Sequence, residues 1–184
     1  RELKLNDIKI YGSKYITRQH IISNSSMKLN ERLINIQTAF LEKELRLKLS
    51  LKNVSISREL IPFGLKIILN TREPIAYAEM TLKGNKSIGY VDINGIFIPF
   101  EFANFDTGEL LPINIYIWNN NSSNSISKIL EAHQKFDLNL KNIFIYAEGS
   151  IVLEEKTFNK ILLGSNYELI DLQLVSIINI KNQL

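Results

Sequence analysis

Pro74 limits what this chain can fold into more than any other residue. It follows an apolar, strand-like run from Leu65 to Thr71 and the pair Arg72-Glu73, and it has no N–H to give to a β ladder. Pairing of one sheet is expected to stop there and a second sheet to start at Ile75. Glu73-Pro74 is therefore read as a hinge between two domains, residues 1–73 and 74–184. A chain of 184 residues, 45% hydrophobic, is long and apolar enough to give each domain a core.

The first part changes period several times. Leu3, Leu5, Ile8 and Ile10 follow a strand pattern with one slip, closed by Gly12. Thr17 suits the cap of a short helix carrying Ile21 and Ile22, and Asn30-Glu31 opens a longer one. Leu33, Ile36, Phe40, Leu41 and Leu45 recur at three- and four-residue steps along it, with Glu31 near the positive end of its dipole. Leu45, Leu47, Leu49 and Leu51 then alternate strictly, which favours a strand, and a turn falls between Leu49 and Asn53. Val54 to Leu60 and Leu65 to Thr71 form a hairpin about Pro62-Phe63-Gly64. The order is β-α-α-β-β.

The second part is richer in strands. Ile75 to Met80, Ile88 to Ile93 and Ile96 to Phe100 read as strands, the last two joined by a two-residue turn at Asn94-Gly95. Glu101 to Glu109 is polar and loop-like, and Ile113, Ile115 and Ile117 alternate. Asn119 to Ser125, a run of Asn and Ser, reads as a flexible loop. Ser125 or Ser127 then caps a helix with Ile126, Ile129, Leu130 and His133 on one face. Ile143 to Tyr146, Ile151 to Glu154 and Phe158 to Leu163 are strands. Asn166 caps a last helix with Ile170, Leu174, Ile177 and Ile178 inward. The fold class is α+β, its second domain a mostly antiparallel sheet with two helices.

Composition narrows the chemistry. There is no Cys, which excludes disulfides, zinc-thiolate sites and thiol catalysis. No apolar run reaches the length of a transmembrane helix. A net charge of +3, with Lys and Arg interspersed among Asp and Glu, describes a solvated mixed surface rather than a nucleic-acid footprint. No nucleophile elbow, phosphate loop, dinucleotide fingerprint or zinc-helix motif occurs. His133 sits on the apolar face of its helix, as core and boundary histidines do. Asp92-x-Asn94-Gly95 with Glu101 has its glycine at the wrong place for a calcium loop and reads as a hairpin. Glu154 and Glu155 are adjacent on a strand and face opposite ways, so they form no acid/base pair. Glu101, Asp106 and Glu109 read as solvated. No catalytic residue, metal or cofactor is expected.

The motifs around the hinge resemble a known family. Arg72-Glu73-Pro74-x-Ala76 followed by Val91-Asp92-x-x-Gly95 is similar to the extracytoplasmic part of the FtsQ/DivIB proteins of bacterial cell division. Ile8 to Gly12, Leu111-Pro112, and Ile161 to Gly164 with Gln173-Leu174 and Ile177 extend the resemblance over nearly the whole chain. It implies a POTRA domain over residues 1–73 and an FtsQ-like β domain over 74–184. It also implies a non-enzymatic divisome scaffold, bound to membrane division proteins of the FtsB and FtsL kind and to the septal transpeptidase complex. The scaffold would stand on the periplasmic side of the inner membrane, anchored by one upstream helix, and link early division components to septal wall synthesis. The alternative is a POTRA-type chaperone module of an outer-membrane assembly or secretion system, against which counts that the second half does not repeat the first. An enzyme of unrecognised site is a third class.

Binding in such a scaffold is expected by strand addition to an open sheet edge. In the family a further edge strand follows the last helix, whereas this sequence stops at Leu184. The expected partner-binding residues are therefore those of the strand before that helix, Phe158, Lys160 and Leu162 on one face, with Asn159, Ile161 and Leu163 on the other. Arg58 and Arg72 are expected, with Lys66, to form a basic patch about the first hairpin that meets lipid head groups or a partner, or to be solvated. Arg72-Glu73 could instead brace the hinge.

Overall fold

A computed structural model describes residues 1–82, 85–105 and 111–183. The protein is of mixed α+β class, with two sheets and four α-helices among the described residues. It divides into two compact units: Arg1–Arg72 with Glu101–Asn104, and Glu73–Phe100 with Phe105–Leu184.

The first unit is a three-stranded sheet with two helices. Its strands β1 (Ile8–Tyr11), β2 (Asn53–Leu60) and β3 (Phe63–Asn70) stand in the order β1-β3-β2, with β1 parallel and β2 antiparallel to β3. The hairpin is tighter than the sequence suggests: Leu60 pairs with Phe63, so Ile61-Pro62 alone makes the turn. Gly12 has φ 92, and a Cβ there would sit 2.0 Å from the Leu69 carbonyl oxygen, so only glycine closes β1 at this point. Helix α1 (Arg18–Ser23) is capped by Thr17, which accepts the His20 N–H. Ile21, Leu41, Leu45, Leu49, Val54, Ile56, Leu65, Ile67 and Leu69 share one core on the helix side of the sheet.

Several expectations fail here. The long helix does not open at Asn30-Glu31. Asn30 takes φ 66, its N–H donates to the Leu3 carbonyl, and Leu3 N–H donates to Glu31, so this segment is pinned to the N-terminal chain and α2 runs only from Thr38 to Lys48. Nor do the alternating leucines form a strand. Leu45 on α2 and Leu49 at its C-cap are four apart and buried, while Leu47 and Phe40 face out. A period of two also contains the helical step of four, and the α2 core decides between them. The segment Glu101–Asn104, expected to be polar loop, belongs to this unit. Phe102 and Ala103 are buried, and the Phe102 ring meets His20 edge-on at 5.6 Å. Asp106 and Glu109 of that expected loop lie outside the described residues.

The second unit carries a seven-stranded sheet in the order β10-β9-β8-β7-β4-β5-β6. The strands are β4 (Ala76–Leu82), β5 (Asn85–Val91), β6 (Phe97–Pro99), β7 (Ile113–Trp118), β8 (Leu140–Ile145), β9 (Ile151–Glu155) and β10 (Asn159–Gly164). The centre, β4-β7-β8, is parallel and the flanks are antiparallel. Helices α3 (Ser123–Phe136) and α4 (Ile170–Lys181) contribute Ile126, Ile129, Leu130, Leu174 and Ile177 to the same core as Ala78, Ile115, Ile143, Leu153 and Leu163. Both helices thus pack on one face. The residues that alternate with these point to the other.

The Asn/Ser run is not a loose loop. The Asn119 side chain accepts the Ser122 N–H at 3.1 Å and starts a helical turn, Asn120–Ser122, that passes directly into α3. Ser122 and Ser125 are buried, and Ser125 and Ser127 lie inside the helix rather than at its cap. Asn and Ser serve helix starts as readily as loops, because both bond nearby backbone. The Asn94-Gly95 turn is also longer than two residues. Asp92 is buried and accepts the N–H groups of Asn94 (3.0 Å) and Ile96 (2.9 Å), so β5 ends at Val91 and β6 begins at Phe97.

Candidate interaction surface

β10 lies at one end of the seven-stranded sheet and pairs only with β9 among the described residues. No strand among the described residues pairs with its other side, where the Lys160 N–H is taken by the Phe158 carbonyl and Leu162 is left to offer its backbone groups. The register across four strands gives this edge a defined outer face. Tyr116 pairs with Phe144, Phe144 with Val152 and Val152 with Leu162, an apolar row that ends on Leu162. The Tyr116 and Phe144 rings stack at 4.9 Å, tilted by 10°. Leu162 is 71% exposed at the end of this row.

Beside it runs a polar row. Asn114 Nδ2 donates to Asn142 Oδ1 at 3.2 Å, Asn142 Nδ2 donates to Glu154 Oε2 at 2.7 Å, and Lys160 Nζ stands 3.8 Å from Glu154 Oε1. Lys160 therefore ends this row as Leu162 ends the other. Along the edge, Ile161, Leu162 and Leu163 of β10 and Leu169, Leu172 and Gln173 beside them line a groove of about 310 Å³. Leu172 is 66% exposed there, and Gln173 Nε2 donates to the Leu163 carbonyl at 2.9 Å, holding α4 against β10.

The turn that delivers β10 is built on Glu155. Its side chain is fully buried, yet it accepts the backbone N–H groups of Phe158 (3.0 Å), Asn139 (3.2 Å) and Thr157, and Lys181 Nζ lies 3.9 Å away. Burial pushes its carboxyl up, but the N–H groups of Phe158, Thr157 and Asn139, then the Lys181 charge, outweigh it and hold the group below the ordinary glutamate value. Lys181 also donates to the Asp137 carbonyl, where the chain leaves α3 with φ 51. One carboxylate thus ties together the β9–β10 turn and the ends of α3 and α4.

The five sequence-predicted residues do not gather in one place. Lys160 and Leu162 share the outer face of β10. Phe158 does not join them: it precedes the strand, Asn159 takes φ 67, and the ring packs against the core. The left-handed residue breaks the alternation on which that expectation relied. Arg58 and Arg72 belong to the first unit. Arg58 pairs with Leu65 in the ladder and donates to the Ile36 carbonyl, whereas Lys66 points to the opposite face over the Tyr11 ring. Arg58 and Lys66 hence form no common patch. Arg72 is half-buried after β3. His133 lies against the Leu138 carbonyl at the end of α3, a structural contact. The outer-face residues Tyr116, Phe144, Val152, Asn114 and Asn142 escaped sequence reasoning, because their common row exists only once the register is known.

No helix among the described residues is long and apolar enough to cross a membrane. Compared with protein-family models and with curated proteins, the chain finds no match.

Proposed function

We propose that this chain is a non-enzymatic interaction module of the FtsQ/DivIB kind, with a POTRA-type first unit and a β domain that receives partners by strand addition at β10. The open β10 edge carries the reading: it ends an apolar row at Leu162 and a polar row at Lys160, beside a groove on α4. A strand added there gains backbone bonds, and the two rows set what it must present. An apolar side chain beside Leu162 and an acidic or amide side chain beside Lys160 continue both rows. The β-α-α-β-β order of the first unit is compatible with POTRA, and the sequence resemblance supplies the divisome, the periplasmic setting and the inner-membrane anchor.

The test is capture from membranes with a tagged full-length protein, wild type against Leu162→Pro. Recovery of small single-pass division proteins by the wild type and their loss with the variant supports the reading. Equal recovery by both, or recovery of outer-membrane assembly components instead, overturns it.

A further inference from the structure

The first unit has a second surface that strand addition does not use. The tip of the β2–β3 hairpin carries Leu60 at 80% and Ile61 at 95% exposure, and Ile34 beside it is 79% exposed. These side chains are not scattered. Leu60, Ile34, Leu33 and Phe63 line one cleft of about 460 Å³, and the polar residues lining it are Arg1, Arg32 and Arg58. Arg58 is held in place by its bond to the Ile36 carbonyl, and the Arg1 guanidinium lies 4.7 Å over the Phe63 ring while pairing with Asp7 at 3.0 Å. Among the described residues no carboxylate pairs with Arg32 or Arg58. Glu59, one residue from the tip, faces the other side of the sheet and pairs with Lys9 at 3.5 Å.

We infer that this hairpin tip docks on an anionic lipid surface, Leu60 and Ile61 entering the interface and Arg32 and Arg58 meeting lipid phosphates. Aliphatic side chains so fully exposed cost solubility unless something covers them. A ring of cations around protruding aliphatics fits a surface that is apolar below and anionic above. Ile61, the most exposed of them, is not among the residues that line the cleft and stands in the turn itself, where it can enter an interface that has no fixed shape to match. The guanidiniums suit phosphate by their planar fork of donors.

The test is co-sedimentation of the whole chain with vesicles of phosphatidylglycerol mixed with phosphatidylcholine, and with vesicles of phosphatidylcholine alone. The wild type should bind the anionic vesicles and lose binding on the neutral ones and in high salt. Ile61→Asp should weaken binding by about tenfold or more, and Arg32→Gln by about fivefold. Neither residue is buried, so melting temperatures should match the wild type. A second readout uses the absence of Cys: an environment-sensitive dye on Ile61→Cys should shift to the blue with anionic vesicles. No binding, equal binding to both vesicles, binding indifferent to either substitution, or a cleft that takes an acidic peptide but no vesicle would each overturn the inference.

Discussion

The two ends of the seven-stranded sheet are finished in opposite ways. β6 is three residues long and ends in Pro99, which offers no N–H. The turn before it is fastened: Gly95 O accepts from Trp118 Nε1 at 3.1 Å and Ser123 Oγ at 2.9 Å, and Ile93 O accepts from Ser127 Oγ at 2.9 Å. β10 is six residues long, has no proline, and carries a single lysine against unwanted pairing. Short length and proline are the usual means of blunting an edge. The first unit shows a third: the Ile56 N–H on edge strand β2 donates to Glu42 of α2 at 2.7 Å. On the function proposed above, β10, the longer of this sheet's two edge strands among the described residues and the one without proline, is the side that receives a strand.

The comparison breaks most severely if β10's neighbour behaves like an edge. Leu153 on β9 is fully buried and flanked by β8 and β10. Leu153→Pro loses the core side chain, about 2–5 kcal/mol, and a ladder bond besides. The second unit should fail to fold, with its circular-dichroism melt abolished. A cooperative melt near that of the wild type would show that β9 is not internal.

Next in size is Glu155. Replacing it by Gln takes the anionic acceptor from three backbone N–H groups, at about 1–3 kcal/mol for each left unsatisfied, and loosens the turn that aims β10. The pH dependence has a definite sign. With the folded carboxyl held below its ordinary value, the stabilisation is complete above about 4.5 and is lost as pH falls through the lower folded value. Urea midpoints of wild type and Glu155→Gln should therefore differ most near neutrality and converge in acid. A gap that widens on acidification would mean the carboxylate is not stabilised.

The closed edge offers a smaller effect. Asn119→Ala removes the cap of the turn before α3, about 1 kcal/mol, and replacing residues 119–125 by a Gly/Ser link also removes Ser123 from Gly95. The melting temperature should fall by several degrees in both. A change indistinguishable from zero would restore the loose-loop expectation that the buried Ser122 and Ser125 now oppose.

How far the sequence could be read follows from where the deciding contacts lie. The β2–β3 hairpin, the Thr17 cap and the inward face of α4 rest on near neighbours, so proline, threonine and periodicity announce them. Leu45 to Leu51 satisfied two periods at once, and only packing in the α2 core separated them. Phe158 turned inward because Asn159 adopts φ 67, which side-chain alternation cannot anticipate. At the candidate site, Lys160 and Leu162 could be named from alternation alone. Their extension through Glu154, Asn142 and Asn114, and through Val152, Phe144 and Tyr116, needs a parallel pairing of β7 with β8 across the α3 crossover. That pairing is written in no local pattern.

The smallest expected effect on stability carries the most information. Leu162 is exposed at the edge, so Leu162→Pro removes little burial. Its backbone phase matters more. Lys160 donates its N–H to the Phe158 carbonyl, outside the ladder, and Leu162 is two residues on. In an antiparallel pair successive residues alternate in the side their N–H faces, which puts the Leu162 donor on the side away from β9. Proline there should cost less than about 1 kcal/mol, while Ile161→Pro, one residue earlier, should remove a bond to β9 and the partly buried Ile161 side chain, and destabilise more. If β10 is the receiving edge, Leu162→Pro keeps its melt and loses partner capture, whereas Leu162→Ala keeps the donor and weakens capture only in part. If Leu162→Pro melts as low as Ile161→Pro, the outward phase is wrong. If it melts normally and still captures partners, strands are not added at β10, and the open edge of this sheet serves something other than recognition.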